Sequence, residues 1–128
     1  MKVSEIILEL MVKDVEETLS FYQDILGFEL LANEVDADGR IYWAKLQFNN
    51  FLISFKDEKR LKEESEFMRG RQIGGGIAIC IVVDDINTIH NDYSKKFRML
   101  DHPHITPCGA TQFSIQDNSG YVITFEKF

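Results

Sequence analysis

The chain has 128 residues, enough for one respectable core or two small ones, and its 45% hydrophobic content suits a folded globular protein rather than a disordered one. Its 14 basic and 21 acidic residues leave a formal charge of −7, which repels phosphate backbones and anionic membrane surfaces. Nucleic acid and membrane are therefore poor partners, and a neutral or cationic small molecule is a better one. Two cysteines, Cys80 in an apolar run and Cys108 between a proline and a glycine, form neither a disulfide framework nor a metal-ligand spacing, and read as free thiols in a reducing cytoplasm.

Residues 4–12 (SEIILELMV) are rich in Ile, Leu and Val and are expected to form a strand with one buried face; Glu5, Glu9 and Lys13 break the run too often for a signal peptide or a membrane span. Asp14 then reads as a helix N-cap with Glu17 completing a capping box, Val15, Leu19, Tyr22 and Leu26 as one apolar face, and Gly27 as the stop. Three strand-like runs follow, separated by Asp38-Gly39 and Asn49-Asn50 as tight turns. Residues 57–75 form a connector, first heavily charged, with room for a short solvated helix, then glycine-rich. Its triple glycine at 74–76 lacks a following Lys-Ser/Thr and opens a strand, so it is not a phosphate cradle.

Residues 76–83 (GIAICIVV) have the length and apolarity of a strand, and Asp85 begins a second helix with Ile86, Ile89, Tyr93 and Phe97 on one face. A strand is expected within 98–104, another over 112–116, a turn at Asn118-Ser119-Gly120 and a last strand at 121–128. Sliding the sequence by 71 positions lays Val12-Lys13-Asp14-Val15 over Val83-Asp84-Asp85-Ile86 and Tyr22 under Tyr93; a slide of 70 lays residues 51–55 over 121–125. The chain reads as two copies of a strand-helix-three-strand unit, 1–56 and 76–128, within a single domain.

Residues 12–28 (VKDVEETLSFYQDILGF), the VVDDI start of the second helix and residues 106–126 (TPCGATQFSIQDNSGYVITFE) resemble, in order and spacing, the motifs of the glyoxalase, bleomycin-resistance and extradiol dioxygenase (vicinal oxygen chelate) superfamily. Cys108 stands where an aromatic is usual, and Asn118-Ser119 where Pro-Asp or Pro-Glu is. The resemblance implies an α+β fold in which two βαβββ units pair into a cupped, half-barrel mixed sheet. In metal-dependent members the first and last strands of each unit carry ligands pointing into the cup; the matching positions here are Ile7, Ser54, Ala78 and Thr124, which offer neither an imidazole nor a carboxylate. A metal site is thereby disfavoured and no cofactor is expected, although a slip of two positions would bring in Glu9 and Glu126.

If those positions face inward, strand alternation predicts a lining that includes Glu9, Met11, Ser54, Cys80, Thr124 and Glu126, with Trp43 and Gln112 joining from middle strands and Phe67 covering from the connector. Trp43 would stack on a flat ligand and Glu9 or Glu126 hold a cationic group. Plainer roles exist for each: Trp43 in core or interface packing, Glu9 at a solvated rim, Cys80 as a small buried hydrophobe. His90, His102 and His104 form no metal-ligand pattern, and no catalytic set can be assembled. The first functional reading is metal-independent binding of a small, cationic aromatic molecule by a bleomycin-resistance-like cytoplasmic homodimer, the dimer being implied by the resemblance. The alternative is a superfamily enzyme of lyase, epimerase or dioxygenase type, using a carboxylate of the cup, whose pKa burial would raise, or an unrecognised metal site.

Overall fold

Most segments that alternate or run apolar become strands, and the segments led by Asp14, Asp57 and Asp85 become helices. The computed structural model describes residues 1–128, which fall into two compact units, Met1–Ile73 and Gly74–Phe128. The first contains β1 (Leu8–Val12), α1 (Val15–Ser20), β2 (Glu29–Val35), β3 (Ile41–Phe48), β4 (Phe51–Asp57) and α2 (Glu58–Glu64); the second contains β5 (Ala78–Val82), α3 (Ile86–Tyr93), β6 (His104–Ile105), β7 (Thr111–Gln116) and β8 (Val122–Lys127). The strand orders are β1-β4-β3-β2 and β5-β8-β7-β6, so both units have the same βαβββ topology. No helix is long and apolar enough to cross a membrane.

In the first unit β1 lies parallel to β4, with Leu8 opposite Ile53 and Glu9 opposite Ser54. The apolar run starts earlier than the strand does, because β4 opens at Phe51, just past the Asn49-Asn50 turn, and offers little backbone for residues 1–7 to pair with. Asn49 takes a left-handed φ of 51° in that turn. In the β2–β3 turn Asp36 Oδ1 accepts from the N–H groups of Asp38 and Arg40 (2.9 and 3.0 Å), and Gly39 supplies φ +82°.

Asp14 Oδ1 caps α1 by accepting from Glu17 N at 3.0 Å. The helix then widens into one π turn, Phe21–Ile25. Consecutive helical residues normally point about 100° apart, yet Phe21 and Tyr22 are both buried here. Tyr22 packs on Phe55, Phe28 and Phe21 with ring centroids 4.7, 5.4 and 5.5 Å away. Leu8, Leu10, Ile53, Phe55, Ala44 and Leu46 share the sheet face on this side by register, and all but Leu8 are buried.

The second unit repeats this in neutral detail. Asp85 caps α3 through Thr88 N (3.1 Å) and the Thr88 hydroxyl (2.7 Å), Ile79 faces Ile123 as Leu8 faces Ile53, and Tyr93 meets Phe125 at 5.4 Å as Tyr22 meets Phe55. Burial raises the pKa of the Tyr93 hydroxyl, with the Asp92 charge adding to it. The strand expected within 98–104 shrinks to the two residues of β6 and a single bridge from Met99 to Ile115. Pro103 has no N–H to give, and Asp101 Oδ1 takes the Ser114 N–H at 2.7 Å that a longer strand would have used. The charged start of the connector forms α2, capped by Asp57 Oδ2 on Arg60 N at 3.1 Å, and it belongs with the first unit, touching β4 and β1.

The Asp85 carboxyl is held below its ordinary 3.8, first by the Thr88 hydroxyl and then by the Thr88 N–H. Because folding lowers this pKa, the charge's contribution to stability is complete above the unfolded value and is lost as pH falls through the folded one. Asp85→Asn keeps a capping oxygen but no charge. Its thermal midpoint is expected to trail that of the wild type at neutral pH and to converge with it in acid, as read from melting curves across that range.

Candidate functional site

The register places a polar face opposite the aromatic core of each sheet. In the first unit the cross-strand rows on that face are Glu9–Ser54–Lys45 and Met11–Lys56–Trp43. Ser54 is only 2% exposed and donates through Oγ to Glu9 Oε1 at 3.0 Å. The Trp43 indole N–H, reaching over β4 from β3, donates to the same oxygen at 3.0 Å. Two neutral donors thus fix one oxygen of a carboxylate that no cation pairs with. The nearest lysines of the face are engaged elsewhere: Lys45 Nζ lies 2.6 Å from Glu5 and Lys56 Nζ 2.5 Å from Glu64.

Of the sequence-predicted residues, Glu9, Ser54 and Trp43 are therefore brought into direct contact, and Met11 lies in the adjoining row, buried at 3% exposure. Phe67 is not brought to them by any contact within the unit; it sits on a single 3-10 turn, Glu66–Met68, and is 87% exposed. That turn is tied to the end of α2 by Arg69 Nε donating to Lys62 O at 3.0 Å. Arg60 of α2 stacks over the Tyr42 ring, 3.6 Å from its centroid, while the Tyr42 hydroxyl donates to Glu34. That hydrogen bond is the main reason the Tyr42 pKa is raised, with desolvation and the Glu34 charge adding to it.

On the matching face of the second unit the rows are Cys80–Thr124–Ser114 and Val82–Glu126–Gln112–His104. Thr124 and Ser114 are mostly buried and share a hydrogen bond of 2.8 Å between their hydroxyls. Cys80 is exposed; Gln112 and Glu126 are half-buried neighbours. The equivalent of Lys45 is thus Ser114 and that of Lys56 is Glu126, so the repeat conserves topology but not charge.

Sequence reasoning missed Lys45, Lys56 and Ser114. Alternation from Trp43 marks Lys45 as sharing its side of β3, but only the pairing of β3 with β4 shows which residues lie beside it.

The donor set does not fit a catalytic divalent metal. Ile7 and Ala78 have no donor atom, and the hydroxyls of Ser54 and Thr124 are committed to Glu9 and Ser114. With the positions shifted by two, Glu9 and Glu126 bring carboxylates without an imidazole, and Glu9 Oε1 is already held by two donors.

Two βαβββ units of like strand order, each with a polar sheet face behind a helix-covered core, define a duplicated α+β protein of the vicinal oxygen chelate type. The family profile described as "Glyoxalase/Bleomycin resistance protein/Dioxygenase superfamily" matches residues 6–125, and the chain belongs to that superfamily. No curated protein sequence matches it. Among solved structures it is similar to TnmS3, an antibiotic binding protein from Streptomyces sp. CB03234, at 22% identity over 99% of this chain and 98% of that one, with a TM-score of 0.71. It is also similar to TioX from Micromonospora sp. ML1 (19% identity, 98% of each chain, TM-score 0.71). A lactoylglutathione lyase from Agrobacterium tumefaciens has the same fold at 17% identity, over 98% of this chain and 95% of that one, with a TM-score of 0.72. At these identities the likeness is one of fold.

The Glu9 arrangement makes an energetic prediction. Glu9→Ala leaves the buried Ser54 hydroxyl without its acceptor and is expected to cost about 1–2 kcal/mol of unfolding free energy. Adding Ser54→Ala removes the unsatisfied group, so the second change should be nearly free, a coupling that urea unfolding followed by Trp43 emission would measure. Simple additivity of the two costs would contradict the hydrogen bond.

Proposed function

We propose that the protein binds and sequesters a small aromatic molecule bearing a cationic group, without a metal and without turnover. The observation that carries this reading is Glu9: its charge has no cationic partner in the chain, and its Oε1 is oriented by Trp43 and Ser54. A carboxylate held this way keeps its other oxygen for a ligand ammonium or amidinium, and the half-buried indole bonded to it gives a flat ring an edge of surface to stack on. Met11, buried in the adjoining row, packs behind them, and Cys80, Gln112, Thr124 and Glu126 form the corresponding face of the second unit, a binding face of its own. Phe67, exposed on the Glu66–Met68 turn that follows α2 and not in contact with these residues, would have to move to cover a bound ring. The antibiotic-binding description of TnmS3, a protein of the same fold, is consistent with such a role.

An acid-base enzyme finds less support. The groups bonded to Glu9 are an indole and a serine hydroxyl, and no imidazole or second carboxylate is hydrogen-bonded to it to relay a proton. We place the protein in the cytoplasm as a homodimer and a single functional domain. The exposed edge strand β2, with Leu31 and Val35 at 43% and 55% exposure, offers unpaired backbone and apolar surface to a second copy.

Titration with a panel of planar aromatic cations is expected to quench Trp43 emission saturably. Glu9→Gln keeps an acceptor for both donors but removes the charge, and should weaken binding about tenfold. Absence of saturable quenching across the panel, or equal affinity in Glu9→Gln, would contradict the reading.

A further inference from the structure

The polar face of the first unit carries more than one carboxylate. Lys45 adjoins Ser54 in the row that Glu9 begins, and Lys56 adjoins Trp43 in the next. Their side chains are only 18% and 19% exposed, yet each ammonium is neutralised by a carboxylate that is 44% exposed. Neither of those carboxylates lies within the sheet. Glu5 belongs to the unpaired residues before β1, and Glu64 is the last residue of α2.

A lysine stem packed along the sheet holds its ammonium in place, whereas ion pairs made by exposed carboxylates on irregular or terminal segments add little net stability. An arriving anion can therefore take the place of Glu5 at small cost, while the Lys45 ammonium stays at its place on the strand. The spacing also fits one small ligand. Glu9 and Lys45 stand on strands separated only by β4, so their backbones are about 10 Å apart, and both side chains rise from the same face. A rigid molecule of two or three fused rings spans that distance.

We infer that the ligand is zwitterionic: an aromatic molecule whose cationic group is held by Glu9 and whose carboxylate, or an equivalent anionic group, is held by Lys45 after displacing Glu5. This rests on the binding role proposed above and narrows its chemistry. Lys45 is then the residue that sets specificity, and Glu5 a resident stand-in for the ligand's anion.

Two acridines separate this inference from the reading beneath it. 9-Aminoacridine is a planar cation, and 9-aminoacridine-4-carboxylic acid is the same ring with an anion added; both are titrated at low ionic strength by calorimetry and Trp43 quenching. The expected result is that the wild type binds the carboxylated compound about tenfold more tightly than the plain one, an advantage that Lys45→Gln abolishes. A far-ultraviolet circular dichroism spectrum and a melting midpoint close to those of the wild type check that the variant is folded. Glu5→Gln should tighten binding of the carboxylated compound several-fold relative to the plain one. Equal affinity of the two compounds for wild type, an advantage that survives Lys45→Gln, or no response to Glu5→Gln overturns the zwitterion inference while leaving cation binding standing. Failure of both compounds to bind overturns the binding role as well.

Discussion

The parallel pairing of β1 with β4 is the constraint on which the rest of the first unit depends. With Leu8 opposite Ile53, the residues at Leu8 and Leu10 must go to the helix side, and Glu9 and Met11 to the other. A one-residue slip of β1 against β4 would turn Leu10 outward and force Glu9 under α1, replacing a core aliphatic with an unpaired carboxylate. The aromatic packing of Tyr22 on Phe55 holds that choice in place. The site is thus a consequence of the core: Glu9 is presented because Leu10 is buried.

The same pairing recurs between β5 and β8, with Cys80 opposite Thr124 where Glu9 faces Ser54. Duplication has kept the positions whose chemistry is structural and released the others. The capping aspartates, the Tyr-Phe contact and the aliphatic rows are retained. On the opposite face charges have been lost or inverted, with Ser114 equivalent to Lys45 and Glu126 to Lys56. Its neutral hydroxyl pair in one unit and its lysine-flanked carboxylate in the other give two chemically different halves from one template.

Much of this was legible in the sequence because the signals are local. Asp14, Asp85 and Gly27 mark helix ends through bonds or backbone angles that involve their immediate neighbours, and Asp38-Gly39 and Asn49-Asn50 mark turns in the same way. What was not legible depends on partners distant along the chain. The contact between Trp43 and Glu9 joins residues 34 positions apart, and alternation gives only which side of a strand a residue is on. The lysines of the face were missed for that reason. The π turn at Phe21–Ile25 has no marker in composition; it coincides with two successive aromatics, Phe21 and Tyr22, that are both buried. Asp101, which displaces the expected strand near residue 100, acts on a backbone group 13 residues away.

On the function proposed above, Glu9, Trp43 and Ser54 hold an organic ligand without a metal. Native mass spectrometry with elemental analysis, on protein purified without an affinity tag or chelator, tests it most directly because it weighs the assembly and whatever the assembly retains. The account predicts a dimer free of stoichiometric transition metal, with any retained mass being organic and absent from Glu9→Gln prepared in parallel. Near-stoichiometric zinc, iron, nickel or manganese that persists in Glu9→Gln would contradict it and move the protein among the metal-dependent enzymes of its superfamily.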